Sequence, residues 1–321
     1  MTEQLSWDPV ERCFQESRNQ SSLKKRKKNL QNFFDYYKMS AVDFILLARK
    51  TPVGEPQFKI EQMIIDFLDY RYNSGRQTST VANEANVIQT FFGTNNVQIK
   101  RQTKYRLEPT IESKRVLTQK EVKKMIRATE KLEEKAIICF LAQTGQRIGV
   151  LATLRFDMIH RHPQRNRKVF GLIEIGPEIA DHNGRPASGN KARAHYVFGV
   201  HWQSMRLLDR MRANADDKEG RIWLMGVRQM ENAVTNAAKR AGIQKSKPTR
   251  IPGRNKFEIH PHVFRRVWMA RMDDAEVTRE YIRDYQIGHT IRSKTYYWGT
   301  FTDDKIIEAM KKADRHLRVL P

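Results

Sequence analysis

Four short stretches carry the residues that could do chemistry together. In chain order they are Thr144-Gly145-Gln146-Arg147 at the end of an apolar run, Lys191 in the turn-forming string DHNGRPASGNK, His262-Val263-Phe264-Arg265, and Gly288-His289 followed by the adjacent Tyr296 and Tyr297. A phenol becomes a useful nucleophile when a neighbouring group helps to remove its proton and fixed donors hold the charge that develops on the group it attacks. Arginine suits the second task, because its guanidinium is planar, permanently charged and forked. An H-x-x-R on a helix puts both side chains on one face. Tyr296 and Tyr297, being neighbours, diverge whether their backbone is helical or extended, so only one of them can point into a common pocket. Each stretch alone is weak, since many basic proteins contain an H-x-x-R by chance. The weight lies in the ordered set.

The chain's charge names the kind of substrate. With 59 Lys and Arg against 36 Asp and Glu the formal charge is +23, far beyond what solubility requires, and it favours a polyanion held through phosphate contacts. Nucleic acid fits, with double-stranded DNA the expected partner. No run approaches the ~18 apolar residues of a membrane-spanning helix and no signal-peptide core opens the sequence, so the expectation is a soluble, cytoplasmic, nucleoid-associated protein. The two cysteines, Cys13 and Cys139, are far apart, and Cys139 within AIICFLA reads as a small buried hydrophobe. His260 and His262 lack further ligands at metal-site spacing, no HExxH is present, and no Gly-Lys-Ser/Thr phosphate loop appears. Neither a metal nor any other cofactor is expected, although carboxylates for a two-metal nuclease stay open.

The elements that must position these residues follow from periodicity. In LKKRKKNLQNFFDYY, Leu23, Leu30, Phe33, Phe34 and Tyr37 fall at roughly helical spacing, and Lys24, Lys25, Arg26, Lys27 and Lys28 cluster at its start. Any one of these cations reads as solvated surface; five in a row beside an amphipathic helix point to contact with a nucleic-acid backbone. Helices are also expected at SAVDFILLARK, at residues 59–70 and at TVANEANVIQTFF, where Val81, Ala85, Ile88 and Phe92 share a face. A polar, basic, weakly periodic stretch then fits a linker, so residues 1–110 read as one all-helical domain and 111–321 as a second. The second opens with Thr118-Gln-Lys-Glu121, a capping box ahead of EVKKMIRATEKL. EEKAIICFLAQT follows as a helix, VFGLIEIG and AHYVFGVH as a strand pair, and HWQSMRLLDRM, RQMENAVTNAAKRAG, PHVFRRVWMARM, TREYIRDYQIG and DDKIIEAMKKADRHL as further helices. The fold class is mainly α with a small β-sheet, an α+β domain behind a helical one.

The order of LTQKEVKKMI, AIICFLAQTGQRIGVLATLRFDMI, a lysine between two strands, HPHVFRR and IGHTIRSKTYYW resembles the catalytic domain of the tyrosine recombinases, the phage integrase and Xer-type family. The likeness covers most of the chain, its helical first part resembling the family's core-binding domain, and the spelling is that of a divergent, archaeal or viral member. Two places depart from the pattern: Val150 stands where the family has an acidic residue three after the first arginine, and Trp298 stands where it has its tyrosine, nine after the histidine of Gly-His.

The resemblance implies a site-specific recombinase or integrase that cuts and rejoins DNA through a 3′-phosphotyrosyl bond, without metal or ATP, with two domains clamping the duplex and a tetramer as the working unit. It implies Arg147 and Arg265 as the clamp on the non-bridging oxygens, Lys191 as general acid for the leaving 5′ oxygen, His262 as the group assisting proton transfer from the tyrosine, and His289 as a donor to the scissile phosphate. Tyr296, which follows Lys-x and precedes another aromatic, is the favoured nucleophile with Tyr297 the alternative. The terminal helix, with Ile306, Ile307, Met310 and Leu317 on one side, is the best candidate for docking on a neighbouring subunit, the alternative being that it packs on its own domain. A type IB topoisomerase uses the same residue types, and a catalytically silent architectural DNA-binding protein would need only the basic helices.

Overall fold

The computed structural model describes residues 8–14, 20–49, 57–97, 99, 115–164, 167–176, 195–218, 220–248, 255–277, 285–288 and 302–320. Lys191, His289, Tyr296, Tyr297 and residues 101–114 of the stretch expected to be a linker lie outside that set, as does most of TREYIRDYQIG. The chain divides into two compact units, Met1–Ser113 and Lys114–Pro321.

Among its described residues the first unit has five helices: α1 Pro9–Phe14, α2 Gln20–Tyr37, α3 Ala41–Arg49, α4 Gln57–Asn73 and α5 Thr78–Thr94. Its core is aromatic. Phe33 of α2 stacks on Phe44 of α3 at 4.6 Å between ring centroids and meets Phe67 of α4 edge-on at 5.3 Å. Val81, Ile88 and Phe92 of α5 close the same cluster. One charge pair is buried with it: Arg71 of α4 donates through Nε and Nη2 to the two carboxylate oxygens of Glu84 at 3.0 and 2.5 Å, a bidentate geometry in which each charge satisfies the other.

The second unit is mainly helical around a three-stranded antiparallel sheet in the order β1 Ile159–Pro163, β2 Val169–Ile175, β3 Tyr196–Val200. The expected strand pair is β2 and β3, in register with Ile173 opposite Phe198; β1 adds a third strand through the register Arg161 to Gly171. A short hairpin, β4 Ser246–Pro248 with β5 Asn255–Phe257, is a further addition to the elements expected from periodicity. The helices are α6 Gln119–Arg127, α7 Leu132–Thr144, α8 Ile148–Leu151, α9 Trp202–Ala213, α10 Val227–Arg240, α11 Pro261–Asp274, α12 Asp303–Lys312 and α13 Asp314–Leu317. At the start of α6 the expected capping box is present: the Thr118 side chain accepts from the Glu121 N–H, and the Glu121 carboxylate accepts from the Thr118 N–H. Helix α7 is buried on every side from Ala136 to Thr144, so Cys139 is a free, buried thiol in the centre of this core. Among the described residues no helix is long and apolar enough to cross a membrane.

The carboxy-terminal segment corrects one expectation. Ile306, Ile307, Met310 and Leu317 are at most 1% exposed and pack on their own unit, with Trp268, Met272, Phe170 and Leu172. β3 is shaped to receive them: a Cβ at Gly199 would lie 2.6 Å from Met310 Cγ and 3.2 Å from Ile306 Cγ2. The apolar stripe is therefore no docking face for a neighbouring subunit. Periodicity shows that a helix has a buried side without showing what buries it.

Polar contacts complete the anchorage. Gln143 Nε2 donates to the Leu317 carbonyl at 2.8 Å, and Gln203 Oε1 accepts from the Val319 N–H at 2.8 Å. Asp314 accepts from His201 Nε2, Lys168 Nζ, Trp202 Nε1 and Arg318 Nη2. These donors hold its carboxyl far below the usual carboxylate range although burial opposes them.

Candidate functional site

Arg147 and Arg265 reach the same place by different routes. Helix α7 ends at Gly145, whose φ of +63° is left-handed and whose N–H closes on the Leu141 carbonyl at 3.0 Å. A Cβ there would also stand 3.0 Å from three atoms of Trp268 on α11, so both the backbone angle and the close approach demand glycine. The chain reverses, buries Gln146, and places the half-buried Arg147 at the N-cap of α8 in an extended conformation.

Helix α11 begins with Pro at its first position, which costs no hydrogen bond there. His262 and Arg265 lie one turn apart on it, while Val263, Phe264, Val267 and Trp268 fill the core. Arg265 is 4% exposed. Its Nη1 donates to the Gly145 carbonyl at 3.3 Å and its Nη2 to the Ile287 carbonyl at 2.6 Å. The guanidinium thus ties α11, the turn before Arg147 and the segment that leads to His289 into one piece.

Tyr196 of β3 lies within electrostatic reach of both arginines. Its phenol is pushed up to about 12 by burial, against which the positive charges of Arg147 and Arg265 both pull. The hydroxyl donates to Gln146 Oε1 at 3.1 Å, Gln146 Nε2 donates to the Gln286 carbonyl at 2.5 Å, and Gln286 Oε1 accepts from the Gly199 N–H at 3.1 Å. Gly288 takes φ +65°, and a Cβ there would meet Tyr196 Cε1 at 2.8 Å. The glycine of Gly-His is therefore the residue that lets the chain pass over the Tyr196 ring. A phenol so deeply buried and already donating to Gln146 is a support, not an attacking group.

His262 belongs to the same electrostatic neighbourhood. It keeps a face open to solvent, and its ring lies parallel to that of His260 at 6.4 Å. Its pKa is lowered, first by the protein packed around it and then by the positive charges of Arg265, His260, Arg266 and Arg147. An imidazole shifted in that direction stays neutral below the ordinary midpoint and keeps its lone pair available to take a proton. Among the described residues no group of three or more His, Cys, Asp or Glu is placed to hold a metal ion.

In the first unit the lysine run divides. Lys27 pairs with Glu11 of α1, and the Arg26 guanidinium lies 5.6 Å from the centre of the Phe14 ring, so both are turned toward α1. Lys24, Lys25 and Lys28 are exposed. Gln146, Tyr196 and Gln286 are the site's supports that sequence reading does not single out; Gln146 alone carries a signal, as an amide between Gly145 and Arg147.

The fold that holds these groups is that of the tyrosine recombinases. Among solved structures, the integrase of transposon Tn1549 in complex with circular intermediate DNA matches at a TM-score of 0.54 and 12% identity over 95% of this chain and 99% of that one. The same integrase with transposon right end DNA matches at 0.53 and 13%, covering 94% and 98%. The XerH site-specific recombinase, bound to its difH substrate before cleavage, matches at 0.51 and 13%, covering 84% and 74%. No family model and no curated relative matches the sequence.

Proposed function

We propose that the chain is a site-specific DNA recombinase that cuts and rejoins duplex DNA through a tyrosine. The observation that supports this reading is that Arg147, at the N-cap of α8, and His262 and Arg265, one turn apart on α11, share one electrostatic neighbourhood within a fold shared with integrases and recombinases. Two guanidiniums suit a phosphodiester whose non-bridging oxygens gain charge as a fifth ligand joins phosphorus. The phenol of Tyr296, or of Tyr297, gives its proton to His262 and forms an O–P bond; the bond from phosphorus to the 5′ oxygen breaks, and Lys191 supplies the proton to that oxygen. His289, directly after Gly288, donates to the same phosphate. The 3′-phosphotyrosyl bond keeps the phosphodiester's energy, so religation needs neither ATP nor a metal.

Lys24, Lys25 and Lys28 hold the DNA backbone, and recombination between two duplexes requires several copies, a tetramer in the simplest assembly. Such a protein works at the nucleoid. The test is incubation with a nicked suicide duplex carrying the sequence that flanks the chain's own gene, followed by denaturing electrophoresis. A covalent band is expected; it disappears in Tyr296→Phe and persists in Tyr297→Phe. The reverse pattern moves the nucleophile by one residue, and a band in both variants removes the tyrosine mechanism placed here. Strand exchange between two marked duplexes then separates a recombinase from a topoisomerase.

A further inference from the structure

Helices α2 and α4 leave aromatic surface uncovered. Tyr36 and Tyr70 are 40% and 50% exposed, and their rings lie 4.8 Å apart at 33° to one another. The pair is not loose, because Tyr36 also meets Phe67 at 5.6 Å and Tyr37 at 4.8 Å and so rests on the core of the first unit. Three exposed carboxylates lie close to it in the sequence of the same two helices. Asp35 precedes Tyr36 on α2, while Asp66 and Asp69 occupy the turn of α4 before Tyr70. Asp66 is close enough to add to the rise of the Tyr37 phenol, which burial pushes up to about 12.

Rigid, half-exposed tyrosines are what protein interfaces use as anchors, since they bury much area for little lost freedom. Three carboxylates beside them are out of keeping with a chain of formal charge +23. They repel a phosphate backbone and attract lysine and arginine, whose cations also favour the faces of tyrosine rings. The same patch on two copies would repel itself, which rules out a symmetric pairing of patch on patch.

We propose that this acidic tyrosine face docks the cationic surface of a second copy of the chain. The contact is heterologous: one copy contributes Tyr36, Tyr70, Asp35, Asp66 and Asp69, and the next contributes a basic face. It rests on the recombinase reading for its use, since several copies must then act together on DNA.

The test is cooperativity. The full chain is titrated onto a duplex long enough for several copies, with sedimentation reporting single and adjacent occupancy, for the wild type, for Asp66→Lys with Asp69→Lys, and for Tyr70→Ala. The wild type is expected to bind neighbouring sites cooperatively, and both variants to lose about tenfold or more of that cooperativity with single-copy affinity preserved. Non-cooperative binding by the wild type, or equal cooperativity in all three proteins, overturns the inference. Loss of single-copy affinity in Tyr70→Ala would make the face a nucleic-acid surface and overturn it too. The covalent adduct on a suicide duplex holding one copy reports separately on the recombinase reading: no adduct from the wild type removes that reading and leaves the cooperativity result standing.

Discussion

Arg265 and Asp314 of the second unit and the lysine run of the first use charge in opposite ways. In the second, Arg265 is enclosed and spends its donors on the Gly145 and Ile287 carbonyls, and Asp314 accepts from four separate side chains. In the first, Lys24, Lys25 and Lys28 stand exposed on α2. A charge wired to neutral carbonyls has already given up its freedom and its water, so it can favour a transition state without reorganising. A charge on a long solvated stem gives affinity and little positional information. The comparison therefore separates groups that should govern rate and stability from groups that should govern salt-dependent binding.

The sharpest test is Arg265→Ala. On the proposed reading cleavage falls by about 3 kcal/mol of transition-state stabilisation or more, beyond the detection of most gel assays. Thermal unfolding should fall as well, because two buried carbonyls lose their donor. Arg265→Lys should not restore cleavage, as an ammonium cannot span both carbonyls and still face a phosphate. Arg147→Ala should match the cleavage defect, about 3 kcal/mol, with little change in stability, since Arg147 sits half-buried at the mouth of a turn. Equal destabilisation by the two variants would erase the distinction between them.

Asp314→Asn extends the comparison to a wired anion. Loss of that carboxylate should cost about 3 kcal/mol in chemical denaturation. Its pKa is depressed in the folded chain, so its contribution is present above the ordinary carboxylate midpoint near 3.8 and fades as pH falls below it. The wild type should lose stability over that acid range and the Asn variant should show a flatter profile.

A finer measurement is the His262 ring titration by NMR. Burial and neighbouring cations lower its pKa, so the midpoint should lie below 6.5 and move upward in Arg147→Ala as one cation is removed. An unmoved midpoint would place Arg147 too far from His262 to share a site.

The loose charges should give the smallest effect per residue. Lys24→Gln, Lys25→Gln and Lys28→Gln together should weaken binding to every duplex alike and reduce the salt slope by about 0.9 for each phosphate that the variant no longer neutralises. Cleavage of bound DNA should persist. A slope unchanged from wild type returns these lysines to ordinary solvated surface.

What is legible in the sequence is what repeats or is spelled locally. Helical periodicity finds α2 through α5, the Thr118 to Glu121 spelling finds the capping box, and β-branched runs find β2 and β3. β1 escapes because Ile159-His-Arg-His-Pro163 has no alternation of apolar and polar residues, and β4 and β5 are three residues each. For the proposed site, Arg147, His262 and Arg265 stand out because chain order and residue type announce them. Tyr196 and Gln286 do not, because their part is wholly tertiary: each matters through a partner that is distant in sequence. The docking of α12 on its own unit is hidden for the same reason.

The contact between Gly288 and Tyr196 fixes how this chain can drift. A side chain at 288 needs a smaller residue at 196 and a backbone no longer left-handed there, and a smaller residue at 196 withdraws the hydroxyl from Gln146, the amide just before Arg147. Three positions far apart in the chain thus form one heritable unit, in which a single change is a loss and only a concerted one is a variant. Among divergent relatives, residues 146, 196 and 288 should be inherited together or replaced together, even where the sequence around them has lost all other likeness.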